Sequence, residues 1–212
     1  MTFEEFAALI PAIQKAKLGG MEAQFKLAPA YRDKYDLDFI KSKNPLLAAV
    51  LLLIFPDKDL NMRFLLIKRP DYAGHHANQI SFTGGKKSEK DFDLLETAIR
   101  ETEEEVGIKI YQNQILKTLT EVYIPPSNFL VQPYMAWIPS TPAFYPNYEV
   151  EKLMTPLLHN FLNVKNIQTK DVIGSHGKSW KSPGFILEDE FVWGATAMIL
   201  SEIIDLFGKV YK

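Results

Sequence analysis

"FTGGKKSEKDFDLLETAIRETEEEVGIKI", residues 82–110, is the stretch on which the fold turns. Two glycines, Gly84 and Gly85, precede a run that holds Glu96, Glu101, Glu103, Glu104 and Glu105. Like charges three and four residues apart on a helix repel, so the crowding needs either free solvation or a positive partner. The spacing predicts a helix starting near Asp91 or Phe92, with Ser88 and Asp91 as candidate N-caps. At about 100° per residue, Leu95, Ala98, Ile99, Thr102 and Val106 share a core-facing side. Glu101, Glu104 and Glu105 share an adjacent side, while Glu96 and Glu103 point to water. Gly107 suits the residue just past the last turn.

Glu103 to Glu105 fall in that last turn, where the helix dipole is negative and each carboxylate is disfavoured by roughly 0.3–1 kcal/mol. A helix selected only for solubility would place Lys or Arg there. A hard divalent cation such as Mg²⁺ or Mn²⁺ would neutralise the cluster with oxygen ligands. An ordinary acidic surface helix carries a similar charge run, and the helix alone does not separate the two. The glycine pair shifts the balance. Placed after a strand and before a helix, it lets the backbone bend sharply and approach a ligand.

Upstream, "LLAAVLLLIF" (46–55) reads as a central strand buried on both faces. Pro56-Asp57-Lys58-Asp59 is a turn, and "MRFLLIKR" (62–69) is the returning strand of a hairpin. A short strand is expected over Gln79–Phe82. Downstream, residues 115–124 and 129–138 read as two strands, and 184–193 as a hairpin turning at Glu188-Asp189. A last helix from about Ala195 turns Ile199, Ile203, Leu206 and Phe207 inward and stops at Gly208. At the N-terminus, Thr2 and Glu5 form a capping box ahead of apolar residues at helical spacing. That helix ends near Lys17, and residues 21–44 read as irregular chain. Together these elements predict an α/β protein with a mixed sheet and helices on both faces. Residues 1–44 are expected to form an N-terminal helix and extended segment packing on a domain of residues 45–212.

The composition suits such a fold: 212 residues, 47% hydrophobic and 24% charged, with a formal net charge of −2. That balance argues against a duplex nucleic-acid binder, which shows a basic surplus. The chain has no cysteine, which excludes a disulfide scaffold, a thiolate zinc site and a cysteine nucleophile. The N-terminus lacks the pattern of a signal peptide, and the longest apolar run is too short to span a bilayer. The expectation is a cytoplasmic protein with no membrane and no nucleic-acid partner. A homodimer is among the states the sequence allows.

The 82–110 stretch resembles the Nudix hydrolase signature, G-x5-E-x7-R-E-U-x-E-E-x-G-U, where U is aliphatic. Arg100-Glu101-Thr102-Glu103-Glu104-Glu105-Val106-Gly107-Ile108 follows its second half, with Thr102 in place of an aliphatic residue. The spacing from Gly85 to Arg100 is one residue longer than the general pattern, and Phe92 stands where the first Glu is expected. Asp91 or Glu89 could then orient Arg100. The same lengthening occurs in the coenzyme A pyrophosphatase branch, whose upstream signature resembles this chain at Leu65, Leu66, Arg69, His76, Gln79, Phe82, Gly84 and Gly85. Gly74, Asn78 and Thr83 depart from it, replacing the branch's second Arg, its Gly and its Pro. Downstream, residues 125–134 and 192–200 are also similar to that branch.

The resemblance implies a Nudix-type α/β/α sandwich and metal-dependent hydrolysis of a pyrophosphate bond. It implies a catalytic set of Glu101, Glu104, Glu105 and Arg100, with Arg100 orienting a carboxylate. The implied metal ligands are Glu101, Glu104, Glu105 and the Gly84 carbonyl, with Mg²⁺ or Mn²⁺ as cofactor. Glu149 or Glu151 is a candidate for a further acidic ligand. Substrate-binding candidates are Arg69, His76, Lys68 and Gly85, with Lys86 and Lys87 nearby. His76 reads equally as a phosphate or pantetheine contact and as a residue satisfying loop backbone. The implied substrate is a coenzyme A-like nucleotide, cut to 3′,5′-ADP and 4′-phosphopantetheine. Another dinucleotide, such as ADP-ribose or NADH, and a binding domain without catalysis are the alternatives.

Overall fold

The computed structural model describes residues 1–71, 78–162, 167–173 and 179–211. In chain order, helices α1 (Phe3–Lys15), α2 (Gly20–Phe25) and α3 (Leu37–Ser42) lead into strands β1 (Leu46–Pro56), β2 (Met62–Phe64), β3 (Leu66–Lys68), β4 (Ile80–Ser81) and β5 (Thr83–Lys86). Helix α4 (Leu94–Val106) follows, then β6 (Ile115–Thr118), β7 (Val122–Ile124), β8 (Phe129–Trp137) and β9 (Lys152–Met154). Helix α5 (Leu158–Phe161), strands β10 (Ile167–Ile173), β11 (Ser179–Leu187) and β12 (Glu190–Trp193), and helix α6 (Gly194–Val210) complete the chain.

β1 is the spine. Its apolar residues alternate between two cores because successive side chains of a strand point to opposite faces. Leu52 and Ile54 join Phe6, Ile13, Leu206 and Phe207 on the side of α1 and α6. Ala49, Leu51, Leu53 and Phe55 join Ala98, Val106 and Ile110 on the side of α4. The architecture is thus α/β, a mixed sheet with helices on both faces. β1 runs parallel to β8, from Leu46 opposite Phe129 to Ile54 opposite Trp137, and antiparallel to β2 and β5. β6 and β7 pair antiparallel with the far edge of β8. Two three-stranded sheets, β4-β3-β9 and β10-β11-β12, complete the strand pairing among the described residues.

Several expectations change in the tertiary structure. Residues 62–69 form two strands rather than one: β2 pairs with β1, and β3 pairs with β4 and β9. Phe64, Leu65, Leu66 and Ile67 are all fully buried, so their hydrophobic pattern carries no mark of where the chain changes partner. Residues 115–124 are also split. Pro133 in β8 has no N–H to give, and the Gln132 side-chain amide donates to the Leu119 carbonyl instead, at 2.7 Å. Most of α2 and all of α3 fall within residues 21–44, and each helix has only six residues, too short for a periodic signal. Helix α4 starts at Leu94 with Asp93 as N-cap; Ser88 and Asp91 do not cap it. Helix α6 continues through Gly208 to Val210, its last turn held by Lys209 to Asp205 at 2.7 Å and to the Lys17 carbonyl at 2.9 Å. The Thr2–Glu5 capping box and the turn at Glu188-Asp189, both residues at positive φ, form as the sequence predicts.

Residues ahead of β1 are tied to the rest by polar contacts. Glu202, fully buried on α6, accepts from the Gly20 and Thr120 amides at 2.9 and 3.1 Å and from the Thr120 hydroxyl at 2.6 Å. The Ser201 hydroxyl donates to the Ala23 carbonyl at 2.7 Å. Among the described residues no helix is long and apolar enough to cross a membrane.

Candidate active site

The site forms where α4 packs on β5. β5 lies antiparallel to β1, with Val50 opposite Gly84 and Ala49 opposite Gly85. Gly84 has φ +144°, and a Cβ there would stand 2.3 Å from the Ala49 carbonyl oxygen. A Cβ on Gly85 would fall 2.5 Å from the Glu101 carboxyl carbon. Both glycines are therefore needed for close approach, and the second sets the Glu101 carboxylate against the β5 backbone.

Glu105 is 1% exposed. One of its oxygens accepts from the Gly84 amide at 2.8 Å, and the other accepts from the Arg69 guanidinium at 3.4 Å. The same Arg69 nitrogen donates to the Gly84 carbonyl at 3.0 Å. Burial pushes the Glu105 carboxyl up to about 7, against the pull of Arg69 and the Gly84 amide, with Glu101 and Glu149 adding to the rise. Glu101 is raised in the same way, by burial first and, against Arg100, by Glu104 and Glu149.

Arg100 is the second hub. It makes a two-pronged ion pair with Asp91, at 2.8 and 2.9 Å. Its remaining nitrogen reaches Glu101 at 2.9 Å and Glu104 at 3.1 Å. Asp91 also accepts from the Ser88 amide and the Thr97 hydroxyl, and its carboxyl lies far below the usual range, chiefly through Arg100. Of the two acids weighed as a partner for Arg100, Asp91 is the one paired with it. Phe92, at the family's Glu position, is 90% exposed.

The loop after β8 closes the far end of α4. Amides of Tyr145 and Asn147 donate to the Val106 and Glu105 carbonyls at 2.9 and 3.0 Å. These bonds satisfy carbonyls that a helix end leaves free and bring Glu149 close enough to act on both Glu101 and Glu105. Glu151 instead pairs with Lys68 at 3.4 Å.

Glu101, Glu104, Glu105, Arg100, Gly84, Gly85 and Arg69 are thus brought together. Lys68 is not part of this group: Glu151 and Glu190 hold its ammonium at 3.4 and 3.5 Å. His76 lies outside the described residues. One pairing was not read from the sequence. Thr83 and Thr102, each a departure from the family pattern, meet with their hydroxyls 2.8 Å apart in the buried α4–β5 contact. Two polar residues replacing two apolar ones on facing elements was the available signal.

The donor chemistry fits a hard divalent cation. Every candidate ligand is an oxygen, the most buried carboxyl resists charging, and each acid borrows an arginine for charge balance. As the side chains stand, no three acids or histidines among the described residues gather as a metal cluster, because Glu104 turns to solvent and Arg100 while Glu105 is held by Gly84 and Arg69.

A cavity of about 600 Å³ opens beside the site. Arg69, Gly84, Gly85 and Lys86 line one end, and Tyr31, Arg32, Phe129 and Trp180 line the other. Tyr31, Arg32 and Trp180 lie far outside the signature stretch, and nothing in the linear pattern marked them.

Comparison with known proteins places these features in a family. Residues 45–153 match the family model for the NUDIX domain. The chain is 33% identical over 161 residues to an uncharacterized Nudix hydrolase, NudL, of Yersinia pestis, a match covering 74% of this chain and 77% of that protein. Among solved structures, a MutT/nudix family protein from Enterococcus faecalis is similar with a TM-score of 0.55 at 19% identity, covering 84% of this chain and 64% of that one. A MutT protein from Methanosarcina mazei Go1 is similar with a TM-score of 0.51 at 16% identity, covering 77% and 95% of the two chains.

Proposed function

The chain belongs to the NUDIX domain family, and from that premise we propose that it hydrolyses the pyrophosphate bond of coenzyme A or its derivatives, giving 3′,5′-ADP and 4′-phosphopantetheine. At the coarser level it is a Nudix hydrolase, a class acting on nucleoside diphosphate derivatives. Such enzymes generally use divalent metal ions. In this reading Glu101, Glu104, Glu105 and the Gly84 carbonyl hold Mg²⁺ or Mn²⁺, with Glu149 as a further acid. Bound there, the cation would neutralise the diphosphate and acidify the attacking water.

The chain's own residues do the rest. Arg100, locked by Asp91, fixes Glu101 and Glu104. Arg69 offers positive charge at the mouth of the site, where a diphosphate would compete with Glu105 for it. The observation that carries the coenzyme A reading is the cavity. At about 600 Å³ it falls in the range of sites that enclose a whole ligand, and it runs from Arg69, Gly84, Gly85 and Lys86 beside the acids to an aromatic end at Tyr31, Phe129 and Trp180. The coenzyme A-type signature around Arg69, Gln79, Phe82 and the glycines supports the same substrate.

Gly74, standing where that branch has its second Arg, favours a second reading as a hydrolase of ADP-ribose or NADH. The test is incubation with coenzyme A, ADP-ribose and NADH in turn, with Mg²⁺ or Mn²⁺, and mass spectrometry of the products. Formation of 3′,5′-ADP and 4′-phosphopantetheine is expected. Turnover of ADP-ribose or NADH with coenzyme A untouched would select the second reading. Metal binding with no turnover would select a binding domain.

A further inference from the structure

Arg32 lies ahead of the family's matched segment, in residues with no family motif. It sits in a turn fixed by its own amide to the Pro29 carbonyl, and the neighbouring Ala30 amide reaches the Lys181 carbonyl on β11. Its guanidinium donates to the Tyr123 carbonyl on β7. Among the described residues it forms no salt bridge, unlike Arg63, Arg69 and Arg100, each paired with an acid. Burial is the largest influence on it and disfavours its charge. A partly buried cation with only a carbonyl for a partner is costly unless an anion completes it. It also lines the cavity, as do Tyr31 and Trp180, whose rings lie 4.9 Å apart.

The sheet gives the distance. Tyr123 lies on β7, which pairs with β8, which pairs with β1, which pairs with β5. Three strand spacings of about 4.8 Å put the Arg32 anchor roughly 14 Å along the sheet from Gly84 and Gly85. The diphosphate end has its own cations, Arg69 and Lys86, so Arg32 is not needed there. An anion reaching Arg32 through this cavity would then belong to another part of the same ligand.

We propose that Arg32 is a specificity-determining residue: it binds a second anionic group, a phosphate monoester carried on the nucleoside away from the scissile diphosphate, while the packed Tyr31–Trp180 pair offers the base an aromatic surface. This rests on the coenzyme A reading, in which that group is the 3′-phosphate. It moves phosphate recognition from Lys68, which two carboxylates already hold, to a residue outside the signature.

The test measures calorimetric binding of adenosine 3′,5′-bisphosphate and of 5′-AMP to the full chain, wild type, Arg32→Gln and Arg32→Lys. One charge-assisted contact predicts about tenfold or more tighter binding of the bisphosphate by the wild type. Arg32→Gln should erase that preference with 5′-AMP affinity unchanged, and Arg32→Lys should keep part of it. Wild-type protein without a preference, or Arg32→Gln that retains it, overturns the proposal. If Arg32→Gln does not fold, Arg32→Lys decides, because loss of planar two-pronged donation must weaken the bisphosphate alone. A bisphosphate preference without coenzyme A turnover would overturn the substrate reading and leave Arg32 in place.

Discussion

The acidic cluster and the aromatic end of the cavity beside it are built in opposite ways. The acidic cluster comes from one unbroken stretch: Gly84, Gly85, Asp91, Arg100, Glu101, Glu104 and Glu105 lie on β5, α4 and the loop between them. The aromatic end brings Tyr31 and Arg32 together with Phe129 and with Trp180 on β11. A strand, a turn and a helix can set carboxylates within ångströms using local geometry alone. A surface that recognises the rest of a large ligand has no such shortcut, and long-range packing assembles it. The difference teaches that reaction class and substrate choice are separable, and substitutions should separate them.

The hardest strike on the local end is Glu105→Gln. It keeps the shape but removes a carboxylate, and turnover should fall by about 10³-fold or more, as it should with Glu104→Gln. Near-full activity in a steady-state assay would remove these residues from the ligand set, and chelation of divalent ions should silence the wild type to the same degree. Gly85→Ala comes next. Its Cβ must displace Glu101, and a shift of about 1 Å in a catalytic group costs roughly 10²-fold in kcat.

Asp91→Asn probes the support beneath the site. Arg100 loses its two-pronged partner but keeps Glu101 and Glu104, so the cost should be about 1.5–3 kcal/mol in denaturant unfolding. The sign with pH follows from the depressed Asp91 carboxyl. Its contribution is present above the ordinary carboxylate pKa of about 3.9 and is lost as pH falls through the lower folded value. The gap between wild type and Asp91→Asn should narrow in acid; a constant gap would show that Asp91 acts by shape alone. The far-end change, Arg32→Gln, should move ligand preference and leave this pH profile untouched.

The smallest effect tests the α4–β5 seam. Thr83→Val or Thr102→Val alone removes the hydroxyl–hydroxyl contact while the remaining hydroxyl keeps a backbone carbonyl, Leu51 for Thr83 and Ala98 for Thr102, and the double change leaves an apolar contact. A double-mutant cycle should give a coupling of about 1 kcal/mol. Additive losses would mean that the 2.8 Å pair carries no energy.

Read from sequence, α4 was clear in its face but not in its start. Ala98, Thr102 and Val106 are buried as the period demands, and Glu96 and Glu103 are exposed. Its first turn was misplaced because Asp91 suits both an N-cap and an ion pair, and the choice depends on Arg100, a residue nine positions away. β1 was legible because it is buried on both faces. The partners of residues 62–69 were not, since four fully buried residues in a row look alike whichever sheet they join.

What the sequence determined by itself is the local chemistry. The glycine pair, the acid spacing and the arginine at their head fix which side of a helix carries charge, since a helix's period is set by its backbone alone. What the tertiary structure decided is every partnership between distant segments: Asp91 rather than Glu89 for Arg100, Glu149 rather than Glu151 beside the acids, two acids holding Lys68, and Arg32 facing the cavity. Those choices follow from which buried surfaces pack together, and burial depends on the whole chain at once.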